Sequence, residues 1–311
     1  MEFPKNQEFP GSNVIIDGIQ YSLVLKRMRG AGIYVNANKD RYLRIGDPAM
    51  VAKELGFHRR LLSAGFPVAE IVSDGTSDGM AYWIEESLGD EHMTGRFRKD
   101  FERIGSVSDE LLETFIRQVV GVSDAQARSC EMRPYDFDRL AVAVGEDGME
   151  EELPDLREDI RAAWDKATAR IADLPECLTH GDLTTHNVME RGVIDFGDHF
   201  EGPLGYDAVT AITAITWFPN DRSCEFFKTY DLSREQFDRF LERCDAMETP
   251  YGTFRLRDRF DDLYFLKALW WSVRNHHNPK LQAWRYGKFR EILRAYLAGE
   301  SLLLACRKEF E

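Results

Sequence analysis

A chain of 311 residues with 43% hydrophobic content is long enough to bury a sizeable core as two domains or one bilobal unit. Its 54 acidic residues against 40 Lys plus Arg, a net charge of −14, argue against nucleic acid as a partner, because phosphate would be repelled by the average field. The start "MEFPKNQEFPGSNVIIDG" lacks the basic lead and apolar run of a secretion signal, and no window is apolar for long enough to span a bilayer, so a cytoplasmic protein with no membrane partner is expected.

The first part reads as β-rich. "IQYSLVLKRM" and "GIYVNANKDRYLRIG" carry β-branched and aromatic residues in partial alternation around the turn signal Gly30-Ala31-Gly32, which predicts a hairpin or small antiparallel sheet. In "DPAMVAKELGFHRRLLSAGFPV", Val51, Leu55, His58, Leu61 and Leu62 recur at helical spacing until Gly65 and Pro67, predicting one helix among the strands. "VAEIVSDG" and "GMAYWIEESLG" read as two further strands.

Beyond residue 90 the pattern turns helical. "SDELLETFIRQVVGVSDAQARS" and "DLREDIRAAWDKATARIADL" are amphipathic, and the acidic run "VGEDGMEEELPD" between them reads as an exposed loop. Four helical stretches follow, beginning at Tyr206, Leu232, Leu256 and Lys280, the last running to Phe310; Ser233 and Gln236 are spaced as a capping box. The expected organisation is an N-terminal lobe over residues 1–87 and a larger C-terminal lobe over 88–311. Cys130, Cys177, Cys224, Cys244 and Cys306 form no Cys-x-x-Cys pair, which argues against both a disulfide framework and a thiolate zinc site.

One span concentrates the polar chemistry, Leu178 to Asp198, "LTHGDLTTHNVMERGVIDFGD". "VMERGVIDF" reads as two short strands joined by a tight turn, which would bring its flanks together. His180-x-Asp182 followed by Asn187 is H-x-D-x-x-x-x-N, and Asp195-Phe196-Gly197 comes eight positions after the Asn. Phosphoryl transfer needs a carboxylate to orient and deprotonate the attacking hydroxyl, with an Asn and an Asp to hold the magnesium ions that bridge the nucleotide phosphates. Six fixed letters match by chance on the order of once in ten thousand, so the set outweighs its members read singly as caps or turn residues.

This stretch resembles the aminoglycoside phosphotransferase and choline kinase family, and the likeness extends over roughly residues 20 to 300. The resemblance implies an α+β, bilobal protein-kinase-like fold, with a small β-rich N-lobe holding one helix and a larger, mostly helical C-lobe. It implies ATP and Mg²⁺ as cofactors and a small-molecule hydroxyl substrate. By the same likeness, Asp182 would accept the hydroxyl proton, Asn187 and Asp195 would bind Mg²⁺, and His180 would pack beneath the loop. Arg44 in "RYLRIG" would contact phosphate and pair with Glu54. The backbone over Glu85, Glu86, Ser87 and Leu88 would meet the adenine edge, and Asp207 in "GPLGYDAV" would brace the catalytic loop.

The chain departs from the family pattern in several places. Thr184-Thr185-His186 stands where the family often has His-Pro-Gly, Arg44 replaces Lys, the turn at Arg191-Gly192 is short, and Gly30-Ala31-Gly32 matches only part of G-x-G-x-x-G. A chain that reaches "GYDAV" within about ten residues of Asp195-Phe196-Gly197 has no room for a protein-kinase activation segment. Asp198, Glu201, Asp261 and Asp262 are candidates to line a pocket for a cationic acceptor, an aminoglycoside or amino alcohol, against a plainer reading as solvated faces and turns. Trp270 and Trp271 read as core. Two rival functions remain in view: a catalytically silent kinase-shaped module, and a metallohydrolase using His180, Asp182, His186, Asp195 and His199. Nothing in the sequence sets an oligomeric state.

Overall fold

A computed structural model describes residues 11–26, 31–224, 226–273 and 278–310. The chain divides into two compact units, Met1–Glu91 with Met189–Val193, and His92–Val188 with Ile194–Glu311.

In the first unit the chain runs β1 (Asn13–Ile16), β2 (Ile19–Lys26), β3 (Gly32–Asn36), β4 (Arg41–Gly46), α1 (Pro48–Ser63), β5 (Ile71–Ser77) and β6 (Met80–Glu86). All six strands form one antiparallel sheet in the order β1-β2-β3-β4-β6-β5. Two of its hairpins turn on Asp-Gly pairs, Asp17-Gly18 and Asp78-Gly79, with positive φ at all four residues, the backbone that matches strand twist in two-residue turns. Of the Gly30-Ala31-Gly32 signal, Gly30 lies outside the described residues and Gly32 opens β3.

Strand alternation gives this sheet two different faces. Ile16, Tyr21, Tyr34, Leu43, Ile45, Tyr82 and Ile84 form one core, while Trp83 turns to the other face and packs with Val51 and Leu55 of α1. Asp47 caps α1 by accepting from the Met50 N–H at 3.0 Å, and Pro48 occupies the first turn, where a missing N–H costs nothing. His58, expected on the apolar stripe, uses its ring Nε2 to contact the Ala69 carbonyl at 2.6 Å.

The second unit is mostly helical, with α2 (Met93–Ile104), α3 (Asp109–Ser129), α4 (Phe137–Val144), α5 (Glu146–Glu152) and α6 (Arg157–Ile171) preceding the hairpin-like pair β7 (Glu176–Thr179) and β8 (Phe200–Pro203). Then come α7 (Tyr206–Thr213), α8 (Arg234–Cys244), β9 (Ala246–Thr249), β10 (Gly252–Arg255), α9 (Leu256–Ser272), α10 (Pro279–Ala298) and α11 (Leu302–Arg307). Ser233 and Gln236 do form the capping box of α8. Helix α9 is buried nearly all round from Phe260 to Ser272, as befits a central helix; the rest of that predicted stretch, 274–277, lies outside the described residues.

Three expectations are corrected here. The acidic run is not an exposed loop but contains α5, in which Met149 is fully buried and Glu146 is nearly so. The run from Lys280 to Phe310 is two helices, broken at Gly299 with φ 75°. "VMERGVIDF" makes no regular strands: two hydrogen bonds, Ile194 N–H to the Asn187 carbonyl at 2.9 Å and Met189 N–H to the Gly192 carbonyl at 2.8 Å, close the turn. Among the described residues no helix is long and apolar enough to cross a membrane.

Candidate active site

Strand β7 delivers its chain directly into His180, and pairing of Thr179 with Phe200 across β7 and β8 fixes where the loop leaves the sheet. His180 is fully buried; its Nε2 meets the Ile194 carbonyl at 2.8 Å and its ring lies 4.4 Å from that of Phe196. Gly181 takes φ 81°, a region open to glycine, and a Cβ there would lie 2.0 Å from the Asp198 carbonyl oxygen. From the first turn of α7, buried Asp207 accepts the N–H groups of His180 at 2.6 Å and Gly181 at 3.0 Å, and also the Gln126 amide at 2.6 Å. The loop backbone is thereby gripped by one carboxylate, with charge-assisted bonds stronger than neutral ones.

Beyond this grip the loop folds on itself. Thr184 N–H donates to the Asp182 carbonyl at 2.8 Å and Asn187 N–H to the Thr184 carbonyl at 2.9 Å. The Asn187 amide nitrogen donates to the Asp182 carbonyl at 2.7 Å and to Asp182 Oδ2 at 3.2 Å, so its amide oxygen is turned away from Asp182. The Ile194 N–H bond to the Asn187 carbonyl sets Asp195 one residue beyond that link. Asp195 itself is left-handed, φ 62° and ψ 66°, an uncommon backbone for a residue other than glycine. Its side chain makes no capping bond to the turn that follows. Asp182 and Asn187 are thus bonded directly to each other within the second unit, and Asp195 follows the residue whose N–H bonds the Asn187 carbonyl.

In the first unit, Arg44 on β4 donates to Glu85 Oε1 at 2.9 Å, and its guanidinium lies 5.5 Å from the Trp83 ring. Glu85 Oε2 accepts the Trp83 indole N–H at 3.2 Å. The expected Arg44–Glu54 pair is therefore corrected: the antiparallel register of β4 and β6 places Trp83 opposite Arg44, and Glu85, two residues on and on the same face, takes the guanidinium. Glu54 lies half-buried on α1. Glu86 N–H donates to the Glu70 carbonyl and Ser87 N–H to the Asp40 carbonyl, while the Ser87 and Leu88 carbonyls both accept from Arg191. The Leu88 N–H takes no acceptor among the described residues.

A family model described as the phosphotransferase enzyme family matches residues 33–245. The chain belongs to that family. It is an ATP-dependent phosphotransferase acting on hydroxyl groups, and solved structures agree on its kinase-like fold. Plasmodium vivax ethanolamine kinase superposes with a TM-score of 0.56 at 12% identity, covering 91% of this chain and 86% of that one. A choline/ethanolamine kinase family protein from Mesorhizobium loti gives 0.51 at 14%, covering 93% and 92%. A putative aminoglycoside phosphotransferase from Ralstonia eutropha gives 0.51 at 13%, covering 94% and 93%. No curated protein matches the sequence significantly.

The phosphotransferase holds residues near Asp182 that sequence reading did not single out. Lys267 on α9 is fully buried; its ammonium donates to the Gly181 carbonyl at 2.8 Å and lies 3.3 Å from the Trp270 ring centroid and 5.1 Å from that of Trp271. Arg285 on α10 is 1% exposed, lies 4.8 Å from the Trp271 ring and 5.9 Å from that of Phe218, and donates to the Trp271 carbonyl at 3.3 Å. Burial pushes the Arg285 pKa down to about 10, and the Asp182 carboxylate opposes the fall. Both cations were hidden in apolar-looking helices, where a Lys or Arg reads as the solvated edge.

Three of the four acidic candidates for a cation pocket serve elsewhere. Asp262 is fully buried between Arg170 at 3.0 Å and the Tyr296 hydroxyl at 2.6 Å, Asp261 accepts the Leu303 N–H at the start of α11, and Glu201 faces Arg133 at 3.5 Å. Trp270 and Trp271 are buried, as expected. His186 reaches solvent, yet the protein packed around it and then the neighbouring His92, 5.4 Å away between rings, lower its pKa. Among the described residues no three His, Cys, Asp or Glu side chains converge as metal ligands, which removes the ligand set of the metallohydrolase reading.

Proposed function

We propose that this chain is a small-molecule kinase that uses ATP with Mg²⁺ and transfers the γ-phosphoryl group to a hydroxyl of a small polar acceptor. The observation that carries this reading is the link Asp182–Asn187–Ile194, which bonds a candidate base to one candidate metal ligand and fixes the residue just before the other, Asp195. Asp182 orients the acceptor hydroxyl and takes its proton as the oxygen attacks phosphorus. Asn187 and Asp195 would hold Mg²⁺, and their hard oxygen donors suit that ion. The bound ion would neutralise charge on the transferring phosphoryl.

His180 and Asp207 keep the loop in shape. In the first unit, Arg44 serves the nucleotide phosphates with Glu85 holding its fork, and the free Leu88 N–H is suited to meet the adenine edge beside the backbone of Glu85, Glu86 and Ser87. Glu54 stands as a secondary member of that set. A cytoplasmic setting and a partnership limited to small molecules fit the same reading.

For the acceptor, the residues beside Asp182 favour a neutral or anionic alcohol such as a sugar or sugar acid over an aminoglycoside or choline-like cation. Two buried cations lie in this region, Lys267 on the Gly181 carbonyl and Arg285 within the electrostatic reach of Asp182, and three of the four acidic candidates are engaged in structural bonds.

Calorimetry of ATP binding with and without Mg²⁺ tests the core of this reading. Magnesium-dependent binding should be seen in the wild type and lost in Asp195→Ala; equal binding in the variant would remove the metal assignment. ADP release over a panel of aminoglycosides, amino alcohols, sugars and sugar acids then reads the acceptor class. Turnover of cations alone would reverse the acceptor preference, and inactivity with intact Mg²⁺-ATP binding would mark a catalytically silent module.

A further inference from the structure

The three residues Thr184-Thr185-His186, where the chain departs from its family, contain a device that the phosphotransfer chemistry does not explain by itself. Thr185 is 5% exposed. Its hydroxyl lies 2.7 Å from the hydroxyl of Thr94 on one side and 2.8 Å from that of Tyr230 on the other. Three side-chain hydroxyls in a row can each donate once and accept once, so the chain is self-consistent and its bonds reinforce one another, the Thr185–Tyr230 bond fully buried and the Thr94–Thr185 bond partly so. Burial raises the pKa of Tyr230, which keeps its phenol protonated and able to take part as a donor. The Tyr230 ring is itself seated edge-on against Phe97 of α2 at 5.1 Å.

The backbone repeats the attachment. A helix leaves its first N–H groups without partners inside the helix. In α2, the Met93 N–H donates to the Val188 carbonyl at 2.8 Å and the Thr94 N–H to the Thr185 carbonyl at 3.0 Å, while His92 caps the helix by accepting from Gly95 N–H at 3.2 Å. Asn187 lies between the two loop residues held this way. Its own side chain reaches back to Asp182, so the orientation of its amide oxygen depends on backbone pinned on both flanks. Where the family pattern often has Pro, whose ring sets φ covalently, this chain holds its loop through hydroxyl bonds.

We propose that Thr185 is a positioning residue for the metal ligand Asn187, acting through a three-hydroxyl clasp with Thr94 and Tyr230. The inference rests on the assignment of Asn187 as a magnesium ligand made above. The clasp sets how well the free enzyme is arranged to receive the metal, so its loss shows in the magnesium requirement before it shows in the fold. Removing an outer partner of a metal ligand typically weakens metal binding about 10- to 100-fold.

The test is calorimetric titration of ATP at graded Mg²⁺ in the full chain. Thr185→Val keeps the shape and removes the hydroxyl; it should raise the Mg²⁺ needed for half-maximal ATP binding by about tenfold or more, leave metal-free ATP binding unchanged, and be rescued by Thr185→Ser. Tyr230→Phe, which keeps the ring against Phe97 and deletes one bond, should give a smaller shift in the same direction and guards against a Thr185 variant that does not fold. If both variants bind ATP with the wild-type Mg²⁺ requirement, whatever their melting temperatures, the clasp is not a positioning device. A wild type whose ATP binding ignores Mg²⁺ would overturn the metal assignment and this inference with it.

Discussion

The ammonium of Lys267 lies 2.8 Å from the carbonyl oxygen of Gly181, joining the middle of α9 to the residue just before the proposed base. A fully buried amine is costly to desolvate unless it is hydrogen-bonded, and here the carbonyl supplies one partner while the faces of Trp270, Trp271 and Tyr206 supply cation–π attraction. Lys267→Met keeps the apolar stem but strips the Gly181 carbonyl of this donor, an omission worth about 1–3 kcal/mol. The variant should remain folded by circular dichroism, melt lower, and release ADP at least about tenfold more slowly, since each 1.4 kcal/mol lost from the transition state is a factor of ten. Wild-type turnover in that variant would reduce Lys267 to packing.

Asp207 accepts from three buried donors, so Asp207→Ala strands the His180 and Gly181 N–H groups and one amide hydrogen of Gln126, whose nitrogen keeps the Leu178 carbonyl at 3.0 Å. With about 1–3 kcal/mol for each unsatisfied donor, the loss should exceed about 3 kcal/mol in urea denaturation. Asp207→Asn retains one acceptor oxygen and should fall between the alanine variant and the wild type. Equal stability of all three proteins would show that the loop backbone finds other partners.

Two glycine substitutions should move stability in opposite directions. Gly181→Ala combines φ 81° with a Cβ 2.0 Å from the Asp198 carbonyl oxygen, contact that backbone cannot yield cheaply, and a loss of at least about 2 kcal/mol is expected. Gly287 lies inside α10, and a Cβ added there would meet nothing within 4 Å, so Gly287→Ala should add about 0.5–1 kcal/mol through helix propensity. Differential scanning calorimetry reads both, and a destabilised Gly287→Ala would contradict the open space around it.

Helix α5 gives the chain a pH dependence near neutrality. Burial, then the neighbouring carboxylates of Glu150 and Asp147, raise Glu146 from 4.5 to about 7, while Arg161 and Arg157 hold Glu150 low. Between 4.5 and about 7 the folded chain keeps a proton that the unfolded chain releases, so this group's contribution to stability falls as pH rises through that window. Glu146→Gln removes the titration. It should raise stability by about 1–3 kcal/mol at pH 8 and have little effect at pH 4.5, measured as urea midpoints at the two pH values. A gain of the same size at both would mean that Glu146 does not carry the proton.

The β-rich first part, α1 and the Asp182–Asn187–Asp195 spacing were legible because each depends on local signals: alternation, a Pro next to an Asp cap, and a motif within one short span. Partnerships across elements were not. Arg44 finds Glu85 through the register of β4 against β6, and register is a property of two strands that neither states alone. Helix α5 was concealed because five of its seven residues are acidic, a composition that reads as solvent-facing; Glu150 answers to Arg161 eleven residues away, beyond the reach of helical spacing. Thr185 likewise meets Thr94 and Tyr230 at separations of 91 and 45 residues, and nothing local marks a threonine as a clasp.

The short turn 189–193 has a practical bearing on how this protein can be taken apart. It belongs with the first unit, although the chain on either side belongs to the second. Its Val193 N–H donates to the Pro67 carbonyl at 2.7 Å, its Arg191 N–H to the Leu88 carbonyl at 3.0 Å, and a Cβ at Gly192 would lie 2.3 Å from the Pro67 carbonyl oxygen. Neither unit is therefore a continuous stretch of polypeptide. A fragment ending at residue 91 would lack five of its own residues, and one beginning at 92 would carry a turn whose Arg191 and Val193 have lost their hydrogen-bond partners, so a single cut between 91 and 92 cannot yield two intact halves.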